Sequence, residues 1–263
     1  MNKITTKHDI HKMYQESVQC VEAEIDFIQA TYKQIRGNDA RYLREDFSGT
    51  GQTSGEWVQR HPKNKAWAID VDEEVLAWGK ENVLTRLKKH NNLNYIKADV
   101  RHSEIKQMDI IIAMNFSYFL FMDRKTMIDY FVSVKNSLEP TGIFFLDAFG
   151  GYEAAKELTE ERQCDGFTYI WEQHSFNPIN SQMQCYIHFK TDDGTDYHRA
   201  FSYYWRLWTL PEIQEMLAEA GFSQVDVYWE GADDKTGEGD GIFKATKHGT
   251  ADAGWVCYIA ALP

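Results

Sequence analysis

The chain has 263 residues, 43% of them apolar, enough to bury one large core or a core with an appended cap. Its formal charge of -12 argues against a polyanionic partner, because nucleic-acid affinity comes largely from Lys and Arg displacing counterions, and Lys88-Lys89-His90 is only a short basic patch. Cys20, Cys164, Cys185 and Cys257 are scattered without a Cys-x-x-Cys pair, and no apolar run reaches the length of a signal segment or membrane span; a zinc cluster, a disulfide framework and a membrane partner are all disfavoured, and a soluble cytoplasmic protein is expected.

From about residue 11 to 35, Val18, Val21, Ile25 and Ile28 recur at helical spacing, which predicts one amphipathic N-terminal helix within a lid of residues 1–40. A strand-like run then ends in Glu45-Asp46-Phe47-Ser48-Gly49-Thr50-Gly51 and opens a helix at the glycine pair. A backbone bent that sharply can bring N–H groups and a helix N-terminus against a ligand. Glu56, Trp57 and Val58 read as a crossover helix ended by His61-Pro62. A second strand, Ala66 to Ile69, ends on Asp70, nineteen residues beyond Gly51, where a carboxylate can accept both hydroxyls of a ribose. Asp72 is the expected N-cap of the next helix, and a third strand, Leu93 to Ala98, ends on Asp99.

The unbroken apolar run Asp109 to Met114 predicts a strand buried on both faces, followed by Asn115, Phe116, Ser117 and Tyr118. A helix from about Arg124 to Leu138 and a turn at Glu139-Pro140-Thr141-Gly142 lead to a fifth strand ending on Asp147, a residue that either orients a substrate or caps a helix beginning near Tyr152. Five alternations of strand and helix imply a doubly wound sheet. The pattern then changes to three strand-like runs, Phe167 to Phe176, Met183 to Thr191 and Tyr197 to Arg206, read as an inserted antiparallel meander within a cap at 163–208. Thr209 with Glu212 forms the expected capping box of a helix ending at Gly221; strands follow at Gln224 to Trp229 and Trp255 to Ala260, with a mobile Gly-, Asp- and Lys-rich loop expected at 231–254.

The glycine loop with acids at the ends of the second and third strands resembles the class I S-adenosylmethionine-dependent methyltransferases, from about residue 41 to the C-terminus. The resemblance implies an α/β fold in one domain, 1–263: a doubly wound, mostly parallel seven-stranded sheet of Rossmann-like type, its last strand antiparallel beside the sixth, carrying the inserted β meander. It also implies S-adenosyl-L-methionine as cofactor, with Gly49 and Gly51 supporting the methionine part, Asp70 and the adjoining Val71 at the ribose, and Asp99 with Val100 at the adenine. Aligned on Gly-Thr-Gly, the family's first glycine is Phe47 and its preceding apolar residue is Asp46, so Glu45 falls on the family's acidic position while Asp46 competes for the role.

Methyl transfer from a sulfonium needs alignment and desolvation more than an acid for the leaving group. Asn115 and Tyr118, just past the fourth strand, are the candidates facing the methyl, with Asn115 also at the cofactor; Arg44 either pairs with the cofactor carboxylate or forms an ion pair with Glu45 or Asp46. Tyr14, Phe116, Trp171, Glu172, Tyr203 and Arg206 are the candidates for a small-molecule acceptor, against the alternative that the rings are packing. His8 and His11 are expected to be solvated rather than metal ligands. Two other classes remain: a catalytically silent S-adenosyl-ligand-binding protein, and a nicotinamide-dependent oxidoreductase, since Gly49, Gly51, Gly55 and Asp70 also satisfy a loose dinucleotide fingerprint.

Overall fold

The computed structural model describes residues 9–88, 90–232 and 239–263. In chain order its helices and strands are α1 (Ile10–Val18), α2 (Val21–Arg36), β1 (Tyr42–Asp46), α3 (Gln52–Arg60), β2 (Lys65–Asp70), α4 (Glu73–Asn82), β3 (Leu93–Lys97), β4 (Met108–Ala113), α5 (Arg124–Lys135), β5 (Leu138–Gly150), β6 (Leu158–Cys164), β7 (Phe167–Asn177), β8 (Gln182–Thr191), β9 (Asp196–Arg206), α6 (Leu210–Glu219), β10 (Gln224–Ala232), β11 (Gly239–Thr246) and β12 (Trp255–Leu262). They divide into two units: the described residues up to Cys20 with Ala155–Arg206, and Val21–Ala154 with Leu207–Pro263. Among the described residues no helix is long and apolar enough to cross a membrane.

The larger unit is built on one sheet of strand order β11-β10-β12-β5-β4-β1-β2-β3. β3, β2, β1, β4 and β5 run parallel, and β12 is antiparallel to both β5 and β10, the placement the family resemblance implies. β4 is interior, with Ile110, Ile111 and Ile112 wholly buried, which is why its sequence is apolar on both faces. One face of the sheet is covered by Ile25, Ile28 and Tyr32 of α2 and Trp57 and Val58 of α3, packed with Leu43, Ile110, Ile112, Ile143 and Phe145. Local signals hold at the helix starts: the Asp72 carboxylate accepts from the N–H groups of Glu74 and Val75, and Thr209 and Glu212 form the reciprocal capping box.

Several expectations are corrected here. The N-terminal helix is two helices, because Gln19 takes an extended conformation, and α1 and α2 belong to different units. No Gly or Pro marks that break. The sheet has eight strands, since β11 pairs with β10 inside the segment expected as a mobile loop; its residues are mostly exposed on both faces, so no alternation betrays it. Residues 1–8 of the expected lid, with His8, and 233–238 of that loop lie outside the described residues, as does Lys89 of the basic patch. The turn at Glu139-Pro140-Thr141-Gly142 is absorbed into β5, where the pairing with β4 jumps from Met108 opposite Leu138 to Ile110 opposite Ile143. Near Tyr152 there is a turn and no helix.

The smaller unit is a four-stranded antiparallel sheet, β6-β7-β8-β9. It gains β6, most of which lies before the cap boundary at residue 163; Leu158–Cys164 is polar and largely exposed at a sheet edge, so it carries no strand-like apolar period. On one face Phe167, Ile187 and Phe189 are buried with Tyr169, Trp171, Phe201 and Tyr203 around them, and α1 contributes Ile10, Met13, Tyr14 and Val18 to the same cluster. The smaller unit therefore has its own core.

Candidate functional site

The glycine loop is held by what surrounds it. Phe47, Gly49 and Gly51 all take positive φ, of 56°, 52° and 70°. At Gly51 a Cβ would meet the Tyr95 ring at 2.8 Å, and at Gly79 of α4 it would collide with the Thr50 carbonyl oxygen. Tyr95 donates its hydroxyl to that same carbonyl at 2.9 Å. The space beside Gly49 is different: no atom lies within 4 Å of where its Cβ would stand. One side of the loop is thus clamped and the other is open. Phe47 tolerates a conformation that glycine adopts freely, with its ring packed against Phe121 and Tyr130.

Successive residues of β1 point to opposite faces, and this separates the acids that the sequence left undecided. Glu45 accepts from the Ser54 N–H at 2.8 Å, inside the first turn of α3, where a carboxylate compensates unpaired N–H groups. Burial pushes its carboxyl up to about 7, and the charge of Glu24, itself buried on α2, adds to the rise. Asp46 lies on the other face with Arg44, whose Nε and Nη2 donate to the two carboxylate oxygens at 2.8 Å each while Nη1 donates to the Ile105 carbonyl; Tyr130 also donates to Asp46. Both side chains of this pair are fully buried. Pairing is what allows charge at a position where the resembled family has an apolar residue. Of the two roles open to Arg44 in the sequence, the structure has the ion pair, made with Asp46, and the guanidinium is not presented to a cofactor carboxylate.

Asp70, at the carboxyl end of β2, accepts from the Gly49 N–H at 2.8 Å and from the Asp72 N–H at 3.0 Å, one on each oxygen. Each oxygen retains a further acceptor position, as two ribose hydroxyls require. Val71 beside it is 65% exposed. Asp99 caps the 3-10 turn Val100–His102, so the Val100 N–H opens a turn whose first N–H groups have no partner within it. The Asp99 carboxylate is itself engaged by Arg101, at 2.6 Å from Nη2.

Beyond β4, Asn115 and Phe116 are consecutive residues in the left-handed region, with φ of 59° and 56°. Asp147 of β5 fixes them, one oxygen accepting from the Asn115 N–H at 2.8 Å and the other from the Phe116 N–H at 2.9 Å. Burial raises the Asp147 carboxyl to about 7, with Glu24 again contributing. Tyr118 does not face this edge openly: it is wholly buried and donates its hydroxyl to the Asp147 carbonyl at 2.6 Å, which corrects its assignment as a catalytic residue. Phe116 packs against Phe149 at 4.7 Å between ring centres.

The remaining candidates belong to the smaller unit. The Tyr14 ring lies 4.9 Å from Phe201, and Trp171 lies against Tyr203 and Trp205, so these three candidates are parts of the aromatic cluster that α1 shares. Glu172, on the opposite face of β7, accepts from His188 Nε2 at 2.8 Å and meets His174 Nδ1 at 2.6 Å. Arg206 ends β9, opposite Gln182.

Glu45, Gly49, Gly51, Asp70, Asp99, Val100 and Asn115 are thereby brought to the carboxyl ends of β1 to β4, where open α/β sheets bind ligands. Sequence reasoning missed Glu24, Tyr95, Gly79 and Arg101. Only Gly79 had a local signal, a lone glycine inside an otherwise regular helical pattern.

No protein-family model and no curated protein sequence matches the chain. Solved structures do. An S-adenosylmethionine-dependent methyltransferase from Clostridium acetobutylicum ATCC 824 superposes with a TM-score of 0.70 at 19% identity, covering 96% of this chain and 97% of its own. CalS10, an amino pentose methyltransferase from Micromonospora echinaspora, gives 0.67 at 14% identity over 97% and 98% of the two chains. The sugar N-methyltransferase KedS8 from Streptoalloteichus sp ATCC 53650 gives 0.63 at 13% identity over 97% and 93%. Over nearly its whole length the chain has the fold of these methyltransferases.

Proposed function

We propose that the chain binds S-adenosyl-L-methionine at the carboxyl edge of its large sheet and transfers the methyl group to a small-molecule acceptor. The observation that carries this reading is the Asp70 carboxylate joined to the Gly49 N–H, a ribose acceptor locked to a glycine loop whose outer side is open. The residues fit the group: Gly49 leaves room, Asp70 keeps acceptor positions for two hydroxyls, and the Val100 backbone adjoins Asp99 at the start of a 3-10 turn. When bound, the cofactor supplies a methyl already activated by its sulfonium. The chain's own part is then to bind, orient and exclude water. Asp147 holds Asn115 and Phe116 in one backbone geometry, so the backbone from which Asn115 projects at the end of β4 is fixed before an acceptor arrives. The three solved relatives named above, two of which are described as acting on amino or sugar substrates, support a small-molecule acceptor and suggest amino sugars for the first panel.

Calorimetry with S-adenosylmethionine, S-adenosylhomocysteine, NAD and NADP tests the reading, followed by an acceptor screen. Micromolar binding of the S-adenosyl ligands with none of the nicotinamide cofactors is the expected outcome. Nicotinamide binding alone would replace this reading with the oxidoreductase. S-adenosyl binding without transfer to any amine or hydroxyl acceptor would leave a silent ligand-binding protein.

A further inference from the structure

The acid that resemblance assigns to the adenine is not an idle acceptor. Asp99 Oδ1 takes the Arg101 N–H at 2.9 Å and Nε at 3.0 Å, while Oδ2 takes Nε at 3.1 Å and Nη2 at 2.6 Å. A carboxylate has about four lone-pair sites, and here three N–H groups of a single residue two positions along, one of them shared between the two oxygens, are directed at them. Arg101 is also held from a second side, its guanidinium carbon standing 5.4 Å from the centre of the Phe121 ring, beyond β4. The Phe121 ring in turn touches Phe47 of the glycine loop and Tyr130. The pair holds the Asp99 carboxyl below its usual range, with the Arg101 hydrogen bond as the largest cause, and raises Arg101 in return.

We infer that Arg101 is a competitor for Asp99 that tunes cofactor affinity: an adenine amino group can donate to this carboxylate only by displacing the guanidinium from at least one oxygen. The inference rests on the S-adenosyl reading of the site. Both partners are partly exposed, 38% and 33% by side chain, so displacement is easy and the effect is modest. An exposed ion pair of this kind is worth up to about 1 kcal/mol, which corresponds to roughly a two- to fivefold change in affinity. A ligand without the amino group gains nothing from Asp99 and leaves the pair in place.

The test is calorimetric and needs no turnover. S-adenosylhomocysteine, and its analogue in which the adenine amino group is replaced by hydrogen, are titrated into the parent, Arg101→Met and Arg101→Lys. Met keeps the length that packs on Phe121 without the charge; Lys keeps the charge but cannot engage both oxygens in a planar fork. Arg101→Met should bind S-adenosylhomocysteine roughly two- to fivefold more tightly than the parent, Arg101→Lys should fall between, and the analogue should bind all three alike. Unchanged or weaker S-adenosylhomocysteine binding by a folded Arg101→Met, its folding checked by thermal melt, overturns the competition. An equal gain for both ligands also overturns it and makes Arg101 a steric obstacle instead. If Arg101→Met does not fold, Arg101→Lys carries the decision by the same criteria. A parent that binds neither ligand removes the S-adenosyl reading itself, which separates the two failures.

Discussion

The two units use their polar residues in opposite ways. At the carboxyl edge of the large sheet, single carboxylates hold stretches of backbone: Glu45 holds the start of α3, Asp70 the glycine loop, and Asp147 the Asn115–Phe116 turn. In the four-stranded unit side chains hold one another, with an aromatic cluster on one face and the Glu172, His188 and His198 chain on the other. Backbone held by acids is a way of presenting N–H groups and fixed turns to a ligand. Side chains held by side chains are a way of staying folded. The carboxyl edge of the large sheet is therefore suited to hold a cofactor, and the four-stranded unit to contribute stability.

The largest effect should come from the smaller unit's core. Phe189 is wholly buried within the aromatic cluster, so Phe189→Ala should remove about 3–5 kcal/mol of stability. Below the melting transition, S-adenosylhomocysteine affinity should stay at the parental value, because every proposed cofactor contact lies in the other unit. Differential scanning calorimetry and titration on the same sample check this, and cofactor affinity falling together with stability would erase the division of labour. Next comes Asp70→Ala. A hydrogen bond to a charged group contributes about 1.5–3 kcal/mol, so cofactor affinity should fall roughly ten- to a hundredfold or more. Titration of this variant returning parental affinity would take the ribose away from Asp70.

The same contrast explains what could be read from the sequence. The alternation of strands and helices, the glycine loop, the end of β2 at Asp70 and the capping residues Asp72 and Thr209 were legible because each follows from local chemistry: period, turn, cap. The choice between the two roles of Arg44, the inward turn of Tyr118 and the pairing of Asp99 with Arg101 were not. Arg44 and Asp46 are two residues apart on one strand face, and only the depth of β1 in the sheet makes that neighbourhood a buried ion pair. Tyr118 looked like a site residue from its place after β4, yet its side chain turns inward to the Asp147 carbonyl, 29 residues away in sequence. β6 and β11 escaped because edge strands need no apolar period, and the α1–α2 break escaped because an extended Gln19 carries no breaker signature.

The buried acids of the large unit give it a pH dependence of known sign. Glu45 has a usual value of 4.5 and stands at about 7 in the folded chain, with burial as the main cause. The folded state therefore holds this proton more tightly than the unfolded one. The contribution is fully present below about pH 4.5 and is lost as pH rises through about 7. One group of this kind gives a slope of up to about 1.4 kcal/mol per pH unit within that window. Glu45→Gln, which can still accept the Ser54 N–H through its amide oxygen, should flatten the curve by that amount and leave the slope that Asp147 contributes over the same range. Urea denaturation at pH 5, 6, 7 and 8 measures it; parallel curves for parent and variant would mean that Glu45 titrates at its ordinary value.

The smallest effect is the sharpest probe, because it separates neighbours on one strand. Trp171 and Glu172 are adjacent in β7 and point to opposite faces, Trp171 into the aromatic cluster and Glu172 toward the histidines. The Arg199 N–H donates to His188 Nδ1 at 3.1 Å, so the neutral ring carries its proton on Nε2 and donates it to Glu172. Gln at position 172 keeps an acceptor for that proton and loses only the charge, so Glu172→Gln should cost about 1 kcal/mol or less. S-adenosylhomocysteine affinity should not move, and neither should the rate of methyl transfer once an acceptor is found. If the rate falls while stability and cofactor affinity hold, Glu172 touches the acceptor, as its sequence position first indicated. The polar face of the small sheet would then be a recognition surface, and the separation of binding from folding would run between the two faces of β7 and no longer between the two units.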